Sequence, residues 1–222
     1  MKKWCTLVAL LCIFLWKAQS QVEAALLTAT EGDAYATIEK VGFGIEAPDR
    51  SRDHAKKPTK HIKTVYDEKL KKQVFAFTIH AQIDDDRGLK HITDRQRLEI
   101  KTYDKSPKEL VAKEGESFVY RWKMKLPKGF QTTGKFCHLH QLKGMDNRER
   151  TADVKHPLIT FTACTKKNGT QKLELRTFDR QSRKMTVKAS MDLGDITGEW
   201  VEITEKVTFG FNEKKGQKSA KK

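Results

Sequence analysis

Two histidines, His138 and His140, stand two positions apart in residues 136–142, a segment that is otherwise mostly apolar. Side chains of a β-strand alternate between its faces, so the spacing predicts that both imidazoles point the same way and that Gln141 points the other way. An imidazole in an apolar strand is costly unless it contacts water, a partner or a ligand. Because its ordinary pKa lies near neutrality, histidine is also suited to general-base catalysis.

A second segment, residues 95–101, alternates between charged and apolar side chains. The charged side chains that share one predicted face are Arg95, Arg97, Glu99 and Lys101. We expect this strand and the histidine strand to lie in one sheet and to share a polar face that binds an acidic polymer. The alternative is that the two arginines pair only with Glu99 and with the acidic turn at residues 84–88.

The composition indicates a folded, exported protein with an anionic partner. The chain of 222 residues has a formal net charge of +15, with 37% hydrophobic and 33% charged residues. These fractions are typical of a folded protein rather than of a disordered or membrane-embedded one. The positive charge indicates an anionic partner. Because the sequence shows no recognisable nucleic-acid-binding module, we expect an acidic polysaccharide and no nucleic acid.

Residues 1–20 have the features of a secretory signal peptide. They begin with two lysines, continue with an apolar run too short to cross a bilayer, and end in small residues ahead of Gln21. We therefore expect a secreted or periplasmic protein, outside the membrane after cleavage; an uncleaved anchor is the alternative. Cys137 and Cys164 follow the leader and could either pair or remain free thiols. No metal-binding spacing is recognised, so no metal and no cofactor is predicted.

Strand-like segments recur every ten to twenty residues, and long helical periodicity is absent. Asn168-Gly169 predicts a hairpin turn between two of these segments. Residues 24–72 are poorly periodic. The pattern predicts an all-β sandwich or jelly roll. Besides the two segments described above, the predicted strands are residues 74–80, 117–126, 158–164, 171–177, 185–189 and 201–209.

In their order and combination, three segments resemble the jelly-roll polysaccharide lyases. These are residues 95–101, residues 120–126 and His138-Leu139-His140-Gln141; Gly198-Glu199-Trp200-Val201-Glu202 is also similar to the late strand of that family. The group includes alginate lyases, glucuronan lyases and lyases of the heparin lyase I type. The resemblance covers residues 74–210 and implies a concanavalin-like β-jelly roll of two sheets. Together with the local features of the two ends, it predicts a signal peptide at 1–20, N-terminal strands with a charged loop at 21–72, a lyase-like core at 73–210 and a basic disordered tail at 211–222.

The resemblance implies that the protein cleaves a uronic-acid polysaccharide, such as alginate, glucuronan or a heparin-like polymer, by metal-independent β-elimination. The catalytic residues that it implies are His140, His138 and Arg97, and the substrate-binding residues are Arg95, Glu99, Gln141, His80 and Lys101. His138 stands where alginate lyases have a glutamine, so either His138 or Gln141 takes the role of that glutamine. A structural role is the alternative for each histidine, and it is the favoured one for His80. We expect a monomer.

The family's proton donor is a tyrosine on a late strand of the Lys-x-Gly-x-Tyr type. This chain has no tyrosine after Tyr120 and continues instead into a lysine-rich segment. Compared with the family, either the jelly roll lacks its last strands or another residue supplies the proton. Tyr103 and Tyr120 are the remaining substitutes, and for Tyr120 the favoured alternative is packing in the core beside Trp122. The alternative function is a non-catalytic or degenerate carbohydrate-binding domain of the same fold.

Overall fold

The computed structural model describes residues 25–50, 59–80, 84, 86, 92, 94–146, 149–150, 154–179 and 182–210. In these residues the chain is mostly β-strand, and every pairing between its named strands is antiparallel. The all-β fold class predicted from sequence is confirmed, whereas the jelly-roll connectivity stays a prediction. The predicted leader (1–20) and basic tail (211–222) lie outside the described residues. The elements are α1 (Ala34–Lys40), β1 (Gly44–Glu46), β2 (Ile62–Asp67), β3 (Lys72–Phe77), β4 (Glu99–Lys101), β5 (Ser117–Lys125), β6 (Cys137–Leu142), β7 (Ile159–Thr165), β8 (Gln171–Asp179), β9 (Lys184–Asp192) and β10 (Trp200–Thr208).

The chain divides into two compact units, residues 1–111 and residues 112–222. The domain boundary predicted from the sequence, between residues 72 and 73, falls inside the first unit, at the start of β3. Among the described residues, no helix is both long and apolar enough to span a membrane.

In the N-terminal unit, the short helix α1 packs against the β2–β3 hairpin. The Asp33 carboxylate accepts a hydrogen bond from the Tyr35 backbone N–H (2.9 Å) and so caps the first turn. Ile38 of α1 and Ile62 of β2 are fully buried in one apolar cluster. A seven-residue helix is too short to show a clear period, which explains why residues 24–72 look irregular in the sequence.

The C-terminal unit contains a four-stranded sheet in the order β6-β7-β8-β9 and a separate β5–β10 pair. Ala163 and Leu173 of the larger sheet share an apolar cluster with Met124 and Val201 of the pair, so the two sheets pack through these faces. All the strands predicted after residue 116 are present. The predicted Asn168-Gly169 turn joins β7 to β8, with Gly169 at a φ of 83°.

The expectation that the arginine strand and the histidine strand lie in one sheet is wrong. β4 contains only Glu99–Lys101 and pairs with β1 in the N-terminal unit, whereas β6 pairs with β7 in the C-terminal unit. Arg95 and Arg97 precede β4. Alternation shows that a segment can have two different faces, but it does not show which strand will be its partner.

Candidate functional site

The two histidines of β6 point to opposite faces of their sheet. His138 lies opposite Thr162 of β7, and His140 lies opposite Phe161, with the register shifting between the two histidines. Paired residues in an antiparallel sheet share a face, and neighbouring residues of one strand do not. The prediction that both imidazoles share a face is therefore wrong, because Leu139 is an extra residue that forms a β-bulge and shifts the alternation by one.

The same bulge brings Gln141 onto the face of His138. Gln141 lies opposite Thr160, and Thr160 lies opposite Arg176 of β8. We call this surface the His138 face, and it is formed by His138, Gln141, Thr160, Thr162, Glu174 and Arg176. Strict alternation predicts that Gln141 points away from His138. In the structure, the bulge brings the imidazole of His138 and the amide of Gln141 onto one face.

His138 is held in a hydrogen-bonded row of hydroxyl groups. Its Nδ1 lies 2.8 Å from Thr162 Oγ1, which lies 2.8 Å from Thr160 Oγ1, and both threonines are fully buried. Burial and the nearby Arg176 guanidinium lower the pKa of His138, which keeps the imidazole neutral at neutral pH. In the tautomer whose Nδ1–H donates to Thr162, Nε2 is the basic nitrogen. The exposed ring of Phe136 stacks on the imidazole with centroids 4.6 Å apart.

A buried carboxylate positions the guanidinium on the same face. Arg176 donates from Nε to Glu174 Oε2 (2.8 Å), its Nη2 lies 2.7 Å from the same oxygen, and Lys166 pairs with the other oxygen. Glu174 is only 2% exposed. Burial alone would raise the pKa of Glu174, but the hydrogen bonds from Lys166 and Arg176 outweigh burial and hold this pKa below its usual range. These three groups leave one excess positive charge, which favours an anionic ligand.

His140 lies in a different environment on the opposite face. Its Nε2 is 3.1 Å from Glu205 Oε2, and its ring centroid is 4.5 Å from that of Trp122 and 5.8 Å from that of Phe161. Burial, together with the Glu205 carboxylate, raises the pKa of the neighbouring Tyr120 hydroxyl. A hydrogen-bonded imidazole among aromatic side chains between two sheets favours the structural alternative for His140.

The predicted arginine residues pair with carboxylates of their own unit. Arg97 donates to Asp86 (2.9 Å) and to Glu46 and Glu99 (3.3 Å each). Arg95 forms an exposed pair with Asp94, and Lys101 pairs with Glu46 at 2.5 Å. These contacts follow the alternative in which Arg97 pairs with Glu99 and the acidic turn. A substrate carboxylate at Arg97 would have to compete with three protein carboxylates.

The sequence predicts a strand that continues through residue 80, but β3 ends at Phe77 and His80 lies beyond it. Its Nδ1 is 3.1 Å from Asp84 Oδ2, and the same oxygen accepts a hydrogen bond from its backbone N–H (2.6 Å). His61 Nε2 lies 3.0 Å from the Asp84 carboxylate. Burial would raise the pKa of Asp84, but hydrogen bonds from His80 and His61 lower it overall.

A second buried carboxylate, that of Asp49, contacts the other ring nitrogen of His61. His61 Nδ1 lies 2.8 Å from Asp49 Oδ1, and Asp49 also accepts a hydrogen bond from the Tyr35 hydroxyl at 2.8 Å. Burial and the hydrogen bond to Asp49 raise the pKa of Tyr35 to about 12. We call this group the His61 cluster; its members are Tyr35, Asp49, His61, His80 and Asp84. Sequence reasoning missed it because its members span fifty residues without a motif.

The two described cysteines are free thiols and lie on opposite faces of β6 and β7. Cys137 lies opposite Ala163 in the β6–β7 ladder and belongs to the apolar cluster of the C-terminal unit. Burial raises the pKa of the Cys137 thiol. Cys164 lies on the His138 face, where its sulfur is 3.3 Å from Arg176 Nη2. The sequence left open whether Cys137 and Cys164 form a disulfide; in the structure both are free thiols.

Sequence reasoning also missed Glu174 and Arg176 as site residues. Both stand in the predicted strand at residues 171–177, where they alternate with Leu173 and Leu175. That alternation could have indicated a polar face, although not its match with His138. Comparison of the chain with protein-family models, with curated proteins and with solved structures gave no match.

Proposed function

We propose that the protein is an exported polysaccharide lyase that cleaves a uronic-acid polymer by β-elimination on the His138 face. The observation that supports this proposal is the placement of His138, Gln141 and Arg176 on one face of one sheet. These side chains supply a neutral imidazole, an amide donor and a guanidinium. In this proposal His138, rather than His140, is the base.

The reaction requires removal of the C5 proton next to a carboxylate that makes this proton poorly acidic. Arg176 and Gln141 would stabilise the carboxylate, and its developing charge, by donating hydrogen bonds. His138 Nε2 would accept the C5 proton, the electron pair would form the C4–C5 double bond, and the C4–O bond would break with its electrons on the leaving oxygen. Phe136 offers an exposed aromatic surface beside the base for a sugar ring.

The position of Tyr120 favours a second candidate, a non-catalytic carbohydrate-binding domain. Tyr120 is the only tyrosine of the C-terminal unit. Its ring lies 6.4 Å from that of His140, which points away from the His138 face. The leaving oxygen would therefore need another proton donor. Arg97 stays a predicted catalytic residue, and Arg95, Glu99, Lys101 and His80 stay predicted substrate-binding residues; all five lie in the N-terminal unit and take no part in the reaction proposed for the His138 face.

Incubation of the protein with alginate, glucuronan or heparin is expected to produce a new ultraviolet absorbance from the unsaturated uronate product. The control is dextran, which has no carboxylate and cannot undergo this elimination. Affinity electrophoresis in the same polymers separates binding from cleavage. Retardation without product would favour the binding domain, and neither retardation nor product on any of the three polymers would contradict both proposals.

The pH dependence of the reaction should reveal the environment of His138. Burial and Arg176 lower its pKa, and only the deprotonated imidazole can accept the C5 proton. Activity should therefore persist as the pH falls to the ordinary histidine pKa of 6.5 and be lost only below it. Arg176→Gln removes a positive charge and should move this acid limb to higher pH. A wild-type midpoint above 6.5 would contradict the assignment of His138.

A further inference from the structure

The His61 cluster lies at the open end of the β2–β3 hairpin, in the N-terminal unit. His61 immediately precedes β2, and its carbonyl accepts a hydrogen bond from the Thr78 backbone N–H (2.9 Å), just beyond β3. His80 follows two residues later. The hairpin therefore fixes the separation of the two imidazoles, whose ring centroids are 5.3 Å apart with planes at 83°.

Three potential ligand atoms converge at this point. His61 Nε2 and His80 Nδ1 lie 3.0 and 3.1 Å from the Asp84 carboxylate, and one ligand atom from each residue falls within 4.8 Å of the others. Tetrahedral Zn²⁺ with bonds of about 2.0–2.1 Å requires neighbouring ligand atoms to be about 3.3 Å apart. Both contacts to Asp84 are already near that spacing, so binding would chiefly require the ligand nitrogens of His61 and His80 to move closer together.

The surrounding residues add the outer support that metal-binding histidines usually have. Asp49 contacts Nδ1 of His61, the nitrogen turned away from Asp84, and the Tyr35 hydroxyl holds Asp49 in turn. A carboxylate on the far nitrogen fixes the orientation of the ring and increases its basicity toward a metal. The His61 and Asp84 side chains are almost fully buried, whereas the His80 side chain is 40% exposed. One side of the cluster therefore faces solvent.

We propose that His61, His80 and Asp84 bind a divalent first-row transition metal ion of the Zn²⁺ type. The solvent side at His80 leaves a fourth position for water, as in sites with two histidines and one carboxylate. The ion connects the two ends of the β2–β3 hairpin to Asp84. This site is independent of the proposed elimination reaction, which uses residues of the C-terminal unit.

Isothermal titration of the full chain with Zn²⁺, after dialysis against EDTA, tests the proposal. We expect one equivalent to bind at this site, with Asp84→Asn and His80→Asn each weakening the affinity by at least 100-fold. Asp49→Asn should weaken it by roughly 10- to 100-fold, the range expected for an outer partner. The matched controls are Asp94→Asn, which removes an exposed carboxylate of the same unit, and His156→Asn, which removes a histidine stacked on Phe178 in the other unit.

Titration with Co²⁺ provides a spectroscopic signature that a purely structural cluster would not give. A visible d–d spectrum without a thiolate charge-transfer band is expected, because the proposed ligands are nitrogen and oxygen atoms. Far-UV circular dichroism identifies any variant that fails to fold, and the half-exposed His80 is the least disruptive ligand to replace. Absence of stoichiometric Zn²⁺ binding, or unchanged affinity in a folded His80→Asn variant, would overturn the proposal.

Discussion

Replacement of His138 by glutamine is expected to lower kcat/KM for the cleaved uronate polymer by about 100- to 10,000-fold, the usual contribution of a general base. Glutamine keeps a polar side chain beside Thr162 but has no nitrogen basic enough to accept the C5 proton. Binding of the polymer should change much less, because Arg176 and Gln141 remain. The measurement is the initial rate of ultraviolet absorbance, compared with retardation in affinity electrophoresis.

Two other histidines of the C-terminal unit serve as controls for this prediction. His156 also stacks on a phenylalanine, with its ring 4.8 Å from that of Phe178, so His156→Gln removes a similar stacking contact. His140→Gln removes the imidazole that contacts Glu205 and should act mainly on the stability of the fold. Equal losses of kcat/KM in His138→Gln and His156→Gln would contradict the role of His138. A loss confined to His140→Gln, in a stably folded variant, would return the base to His140.

Replacement of Glu174 by glutamine is expected to lower the free energy of unfolding by about 3–5 kcal/mol, as when one partner of a buried ion pair is removed. The variant keeps the shape of the side chain but leaves the Arg176 guanidinium, which is 20% exposed, without its anion. Urea unfolding can be followed by tryptophan fluorescence, since Trp122 and Trp200 lie in this unit.

The matched control is Glu202→Gln, which removes an exposed partner of Lys123 in the same unit. Its effect should stay below about 1 kcal/mol, the usual limit for a surface pair. The double variant Glu174→Gln with Arg176→Gln should be less destabilised than the sum of the two single variants, because no unpaired guanidinium remains. A Glu174→Gln variant as stable as Glu202→Gln would show that the buried pair contributes little.

The sequence predicted most strands of the C-terminal unit because their side chains alternate clearly. β5 shows this best: Phe118, Tyr120, Trp122 and Met124 share the face that packs inward. The helix α1 was not predicted, since a helix this short owes its stability to burying Tyr35 and Ile38 rather than to a sequence period. Its partners in the core include Ile62 and Ile100, which are distant in the chain.

The candidate site was predicted only in part, for two physical reasons. The sequence singled out His138 and Gln141, but the bulge at Leu139 changes which of their neighbours shares a face with them. A bulge is a local change of register that apolar and polar residue types do not encode. Arg176 and the His61 cluster depend on contacts between segments that only the folded chain brings together.

The extra residue in β6 also bears on how this surface could diverge. Deletion of Leu139 would leave His138 opposite Thr162 and His140 opposite Phe161, so the two imidazoles would keep their opposite outlooks. One added residue in β7, between Phe161 and Thr162, would instead give Leu139 a partner and restore strict alternation. A single-codon insertion, with no replacement of any histidine, would thus be enough to turn both imidazoles to the same flank of the sheet.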